Sequence, residues 1–131
     1  MAKSTEDLEA YLGRLGRRFE RLSDGTFLVG AGADQPPIAL RVEPPVLVLQ
    51  VAIGAVPEGG PETQVELFRR LLELNSLDLL HSAYGIEGSR IVLSAALELG
   101  NLDLNEIEAV LSDIDVALAK HVPELRRMVG A

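Results

Sequence analysis

Apolar residues recur every three to four positions in three segments of the chain, and this spacing predicts three helices with one apolar stripe each. The first helix covers residues 5–15 and the second covers residues 61–74. The third begins after Asp103 and has the most regular stripe, formed by Ile107, Val110, Leu111, Ile114 and Leu118. Pro123 interrupts this stripe, so we expect a kink or a separate short helix over residues 123–128.

Polar residues at the helix ends support these boundaries. Ser4 precedes the first helix, and Asp7 follows three residues later, an arrangement that resembles a capping box with Asp in place of Glu. Asp103 and Glu106 repeat the arrangement at the start of the third helix. Asn75 follows the last apolar residue of the second stripe, so we expect it to cap the end of that helix.

Segments between the helices are rich in apolar residues at alternating positions, which predicts strands. The predicted strands cover residues 17–23, 26–30, 38–42, 46–53, 81–86 and 89–97. Asp24-Gly25 and Glu87-Gly88 separate neighbouring strands and have the composition of tight hairpin turns.

The predicted order of elements defines the fold class. It reads α-β-β-β(-β)-α-β-β-α, where the strand near residues 38–42 is the additional one. Most links between strands are too short for the crossover that parallel pairing needs. We therefore expect an α+β fold with a single antiparallel sheet and helices packed on it, formed by one domain over residues 1–131.

Composition narrows the function classes. The chain of 131 residues is 47% apolar and carries a net charge of −8, which argues against nucleic acid or an anionic membrane as partner. It has no cysteine, which excludes disulfides, thiolate metal sites and cysteine nucleophiles. No apolar run approaches the roughly 18 residues of a membrane span, and the N-terminus lacks an apolar signal stretch. We therefore expect a cytoplasmic location.

Residues that could support catalysis or bind a metal are few. The two histidines, His81 and His121, are not spaced as a metal-binding pair on a helix, and no serine lies in a nucleophile-elbow motif. The acidic residues from Glu98 to Asp115 are expected to form a solvated face, since the calcium-loop glycine is absent. The sequence therefore predicts no enzyme, no catalytic residue, no metal and no cofactor.

A basic cluster near the N-terminus leaves two interpretations open. Arg14, Arg17, Arg18 and Arg21 fall within eight positions. The cluster could bind an acidic partner segment, or it could offset nearby Glu20 and the acidic third helix. We favour the second interpretation because solvated charge runs are the commoner case.

Two segments carry more apolar surface than one core requires. The strand at residues 46–53 is apolar on both faces, and the helix at residues 61–74 has two adjacent apolar stripes. Wide apolar surfaces often mark association sites, although a strand covered on both faces would look the same. The residues that we expect to contact a partner or a second copy are Val46, Val48, Leu67, Leu71 and Leu74.

A family resemblance supplies a functional class. The helix that ends in Leu71, Leu74 and Asn75, the hairpin from Ala83 to Leu97 and the Leu102-Asp103 link into the last helix resemble the YbjN family and the class I type III secretion chaperones. The resemblance covers about residues 61–128. It implies a homodimer that binds an unidentified protein partner and catalyses no reaction.

Two functions follow from this resemblance. The first is a chaperone-like or adaptor protein that holds a partner polypeptide on apolar surfaces of the sheet and helices. The second is a regulatory domain that binds a small ligand in a pocket between the sheet and the helices, as a YbjN-like sensory protein would.

Overall fold

The computed structural model describes residues 4–32 and 34–129. Met1 to Lys3, Ala33, Gly130 and Ala131 lie outside the described residues. The expectations about the N-terminus and about a domain over residues 1–131 therefore extend beyond what the structure describes. The helices and strands, in chain order, are α1 (Thr5–Leu15), β1 (Phe19–Arg21), β2 (Phe27–Val29), β3 (Ile38–Glu43), β4 (Val46–Ala55), α2 (Pro61–Leu77), β5 (Ala83–Glu87), β6 (Arg90–Glu98) and α3 (Leu104–Val129). A single 3₁₀ turn, Leu99–Asn101, leads into α3.

The strands form one antiparallel sheet in the order β1-β2-β3-β4-β6-β5. The predicted fold class is therefore confirmed, including the additional strand β3. The second hairpin turns one residue later than predicted, because Glu87 still pairs with Arg90 and the two turn residues are Gly88 and Ser89. Gly88 has φ 63°, a left-handed conformation that glycine adopts without strain.

The predicted helix starts are also present. The Ser4 hydroxyl accepts a hydrogen bond from the Asp7 amide at 3.2 Å, and the Asp103 carboxylate accepts one from the Glu106 amide at 3.0 Å. Each side chain satisfies an amide that has no partner within its helix.

One prediction about a helix end is wrong, and one of the two alternatives given for Pro123 is excluded. Asn75 does not cap α2, since the helix continues to Leu77 and the Asn75 side chain bonds the main chain of β5 instead. Pro123 does not end or divide α3, which is one helix from Leu104 to Val129. Burial explains the second result, because Val122 and Leu125 on either side of the proline both lie in the core. Their packing offsets the hydrogen bond that the proline cannot donate.

The core lies on one side of the sheet. Leu47, Leu49 and Val51 of β4 point to this side and are fully buried against the apolar stripes of the helices. Each such side chain contributes about 1.5–3 kcal/mol relative to an exposed one. The helices leave the opposite face of the sheet open.

Candidate protein-binding surfaces

The open face of the sheet carries Val46 and Val48. These valines alternate with the buried residues of β4, so they point away from the helices, and both are half-buried. In the register of the sheet, Val48 lies between Arg41 of β3 and Ala96 of β6. Val46 and Val48 therefore form a short apolar strip at the start of β4 that ends at Gln50, and no helix of the described residues covers it.

Polar side chains beside this strip bind one another. The Arg41 guanidinium donates to the Thr26 hydroxyl at 3.0 and 3.1 Å. The Gln50 amide donates to the Ser94 hydroxyl at 3.2 Å and to the Glu87 carboxylate at 3.1 Å. Together with Val48, these groups line a shallow depression of about 270 Å³. Their hydrogen bonds hold the polar rim in place beside the half-buried valines.

Three of the five predicted surface residues are in the core instead. Leu67, Leu71 and Leu74 are 0%, 4% and 1% exposed. They lie on the stripe of α2 that packs against the rest of the core, so a partner could not contact them without unfolding the helix from the sheet. The helix was correctly identified as amphipathic, but the prediction that this stripe forms an external surface is wrong.

The other stripe of α2 is the exposed one. Val65 and Leu72, two turns apart on this helix, are 63% and 68% exposed. Ile86 on the neighbouring strand β5 is 45% exposed. An apolar groove of about 250 Å³ runs between the helix and the strand, and Phe68, Leu72 and Ile86 are among its lining residues. We call Val65, Phe68, Leu72 and Ile86 the α2–β5 surface.

Three hydrogen-bonded side chains join the residue that follows α2, Asp78, to β5 and α3. His121 is 3% exposed, and its Nδ1 and Nε2 atoms lie 2.8 Å from the Tyr84 hydroxyl and 2.9 Å from the Asp78 carboxylate. The hydrogen bond with His121 holds the pKa of Asp78 below its usual value. Because an ionised carboxylate only accepts, Nε2–H donates to Asp78, and Nδ1 forms its hydrogen bond with the Tyr84 hydroxyl.

Burial raises the pKa of Tyr84, so its hydroxyl remains a hydrogen-bond donor at neutral pH. The chain from Asp78 through His121 to Tyr84 therefore connects three elements of the fold. The sequence did contain a signal for a buried histidine. Ile114, Leu118, His121 and Leu125 are spaced by four, three and four residues, which places His121 on the buried stripe of α3.

The remaining candidates from the sequence occupy structural positions. His81 is exposed, and its main-chain amide donates to Asp113 of α3. In the basic cluster, Arg17 forms a 2.6 Å ion pair with Asp115 of the acidic helix α3, and Arg21 pairs with Glu9. Within residues 4–32 and 34–129, no three His, Asp or Glu side chains are arranged to hold a metal ion. Nor is any helix of those residues long and apolar enough to cross a membrane.

Comparisons with known structures agree with this fold. A chain of the heterodimeric ExoU–SpcU complex from the type III secretion system of Pseudomonas aeruginosa matches with a TM-score of 0.67 at 21% identity, over 88% of this chain and 95% of that one. YbjN from E. coli matches with a TM-score of 0.68 at 10% identity, over 90% of each chain. The Yersinia pestis type III secretion chaperone SycH, solved with a fragment of YscM2, matches at 0.57 and 18% identity over 90% and 99%.

The sequence itself matches a family model along its whole length. The model is that of CesT_Tir_1, a family of type III secretion chaperones, and it matches residues 1–131. A search of curated protein sequences finds no significant match. The family consists of non-catalytic chaperones that bind proteins, which supports the expectation that the chain is not an enzyme. Nothing in these comparisons supports the small-ligand alternative.

Proposed function

Because the chain belongs to the CesT_Tir_1 family, we propose that it is a chaperone that holds a segment of one partner polypeptide on the open face of its sheet. Structures of similar fold are described as complexes with another protein, ExoU–SpcU and SycH with YscM2 among them. We extend that behaviour to this chain as part of the proposal. We also propose that it acts in the cytoplasm, the location expected for chaperones that hold proteins before secretion.

One observation carries the choice of surface. Val46 and Val48 form an apolar strip on a face that no helix covers, and hydrogen-bonded polar side chains stand beside it. An apolar centre with a polar rim is the usual composition of a protein interface. Burial of the valines would stabilise a complex by about 25 cal/mol per Å² of apolar surface, before the costs of association.

The test compares two valine-to-glutamate variants. Val48→Glu puts a charge on the open face, whereas Val116→Glu puts the same charge on α3, where Val116 is 58% exposed. Tagged forms of both variants and of the wild type are used to capture partners from the native lysate, which are identified by mass spectrometry. We expect a stoichiometric partner with the wild type and with Val116→Glu, and its loss with Val48→Glu.

The far-UV circular dichroism spectrum of Val48→Glu is recorded alongside, because only a folded variant tests the surface. A folded Val48→Glu variant that retains the partner at wild-type yield would contradict the proposed surface. Retention of the partner by Val48→Glu together with its loss by Val116→Glu would move the binding surface to α3.

We also propose that two copies of the chain associate through the α2–β5 surface. Its exposed side chains, Val65, Leu72 and Ile86, are of the apolar kind that a self-complementary two-fold contact buries. Light scattering of Leu72→Glu should give half the mass of the wild type, while Val116→Glu should keep the wild-type mass. A monomeric wild type would exclude this dimer.

A further inference from the structure

Strand β5 lies at the edge of the sheet and pairs only with β6. In an antiparallel pair, the N–H and C=O groups of alternate residues point toward the neighbouring strand, and those of the residues between point away from it. Tyr84 and Ile86 are two positions apart, so their main-chain N–H and C=O groups point in the same direction. The main-chain groups of Tyr84 form hydrogen bonds with a side chain outside the sheet, so the groups of both residues point away from β6.

That side chain belongs to Asn75 of α2. The Tyr84 amide donates to Asn75 Oδ1 at 2.7 Å, and Asn75 Nδ2 donates to the Tyr84 carbonyl at 3.2 Å. One side-chain amide thus makes both hydrogen bonds that a residue of a seventh strand would make at this position. Only an amide side chain has the donor and the acceptor that this requires in so short a group.

Ile86 lacks such protection. Among the residues that the structure describes, nothing bonds its outward main-chain groups, and its apolar side chain is partly exposed. An exposed apolar edge is a template for pairing with another strand. The most available strand is β5 of a second copy, which presents the same edge.

The register of that pairing shows which main-chain groups two β5 strands would use to bond each other. If two β5 strands met antiparallel about a two-fold axis at Gly85, each Tyr84 would face Ile86 of the other copy, and the outward groups of both residues would bond across the axis. Asn75 already occupies the Tyr84 groups in each copy. The side chain therefore competes directly with the incoming strand.

We propose that Asn75 blocks the β5 edge against strand pairing with a second copy of this chain. Association on this side of the molecule is thereby restricted to side-chain contacts of the α2–β5 surface. The proposal does not depend on the chaperone function. It can also be separated from the proposed dimer, because Leu72→Glu should remove that dimer and the effect of losing Asn75 can then be measured in its absence.

The test removes the amide and follows the mass. Asn75→Ala and Asn75→Leu both abolish the two hydrogen bonds, and the second also fills the vacated space. Ser76→Leu, at the exposed neighbouring position, is the matched control. All are made in the Leu72→Glu background, which should lack the side-chain dimer that uses the same side of the molecule. By sedimentation velocity over a range of concentrations, we expect the Asn75 variants in this background to reach about twice the mass of Leu72→Glu alone. The control in the same background should match Leu72→Glu alone.

A second substitution identifies the edge as the site of pairing. Ile86→Pro removes the outward N–H group, a change that edge strands tolerate. Added to Asn75→Ala in the Leu72→Glu background, it should return the mass to that of Leu72→Glu alone. If a folded Asn75 variant in the Leu72→Glu background sediments as Leu72→Glu alone does, or if the variant with Ile86→Pro remains enlarged, the proposal is wrong.

Hydrogen exchange in the wild type tests the block without any substitution. The Tyr84 amide should exchange on the order of tenfold more slowly than the Ile86 amide, since only the first is bonded. Equal exchange of the two amides would show that Asn75 does not hold the edge, whatever the variants do.

Discussion

Truncation of two adjacent leucines of α2 to alanine should have different effects on the free energy of unfolding: a loss at Leu71 and almost no change at Leu72. Leu71 is 4% exposed and packs in the core, whereas Leu72 is 68% exposed on the α2–β5 surface. Truncation of a buried leucine to alanine costs about 2–5 kcal/mol, because burial is lost and a cavity is left. A surface substitution changes the free energy of unfolding by about 0.5 kcal/mol or less.

The groove beside Leu71 sets the expected value within that range. Leu71 lines the groove between α2 and β5, so the space left by Leu71→Ala opens toward solvent and neighbouring side chains can relax into it. We therefore expect a loss of about 2–3 kcal/mol. With a urea dependence of roughly 1–3 kcal/mol per molar, the unfolding midpoint should fall by about 0.7–3 M.

Urea unfolding at two protein concentrations separates the two residues. For Leu71→Ala, the loss of stability should be the same at both concentrations, because its cause lies within one chain. For Leu72→Ala, the midpoint should be close to wild type in dilute protein and fall below it at high concentration, where the wild-type dimer is stabilised by mass action. Equal destabilisation by the two variants in dilute protein would refute the assignment of these stripes to core and surface.

Two further predictions concern the contacts of α3. Tyr84→Phe removes the hydroxyl that forms a hydrogen bond with the buried His121 Nδ1 and should lower the free energy of unfolding by about 1–3 kcal/mol in urea titrations; an unchanged value would contradict this hydrogen bond. The hydrogen bond from Arg70 lowers the pKa of Glu124 in the folded state. In the unfolded state the pKa of a glutamate is about 4.3, so the folded state binds a proton at Glu124 less readily. This contribution to stability is present above that pH and is lost as the pH falls through the folded pKa; Glu124→Gln should therefore flatten the acid side of the stability curve, and an unchanged slope would contradict the contribution.

Much of the fold could be predicted because its local signals agree with its tertiary packing. The capping residues Ser4 and Asp103 gave the starts of two helices, and regular stripes gave their buried faces. Asp24-Gly25 and Glu87-Gly88 predicted both hairpins, although the second turn lies one residue later because Glu87 pairs as a strand residue. Because most links between strands are too short for a parallel crossover, the remaining prediction was an antiparallel sheet.

The choice between the two stripes of α2 could not be made from the sequence. Both stripes are apolar, and hydrophobic spacing alone gives them equal weight. What decides is the position of β5, which brings the Leu71 stripe into the core and leaves Leu72 outside. That position follows from strand pairing far along the chain.

Polar side chains at tertiary contacts were the other source of error. Asn75 has the sequence context of a helix cap, but its partner is the main chain of β5. His121 has the context of a charge near a helix end, but it is buried between Asp78 and Tyr84. In both cases the partner lies outside the helix that carries the side chain. The spacing of His121 on the α3 stripe indicated burial, although nothing in the sequence identified its partners.

Site-specific photo-crosslinking tests the proposed chaperone surface most directly. A photoreactive amino acid replaces Val48 on the open face of the sheet or, as the control, Val116 on α3. After irradiation of cells that naturally produce the protein, the crosslinked peptides are identified by mass spectrometry. We predict that position 48 crosslinks to one segment of a single partner polypeptide and that position 116 does not. Absence of a partner crosslink at position 48, with a polypeptide joined at position 116, would contradict the proposed binding surface.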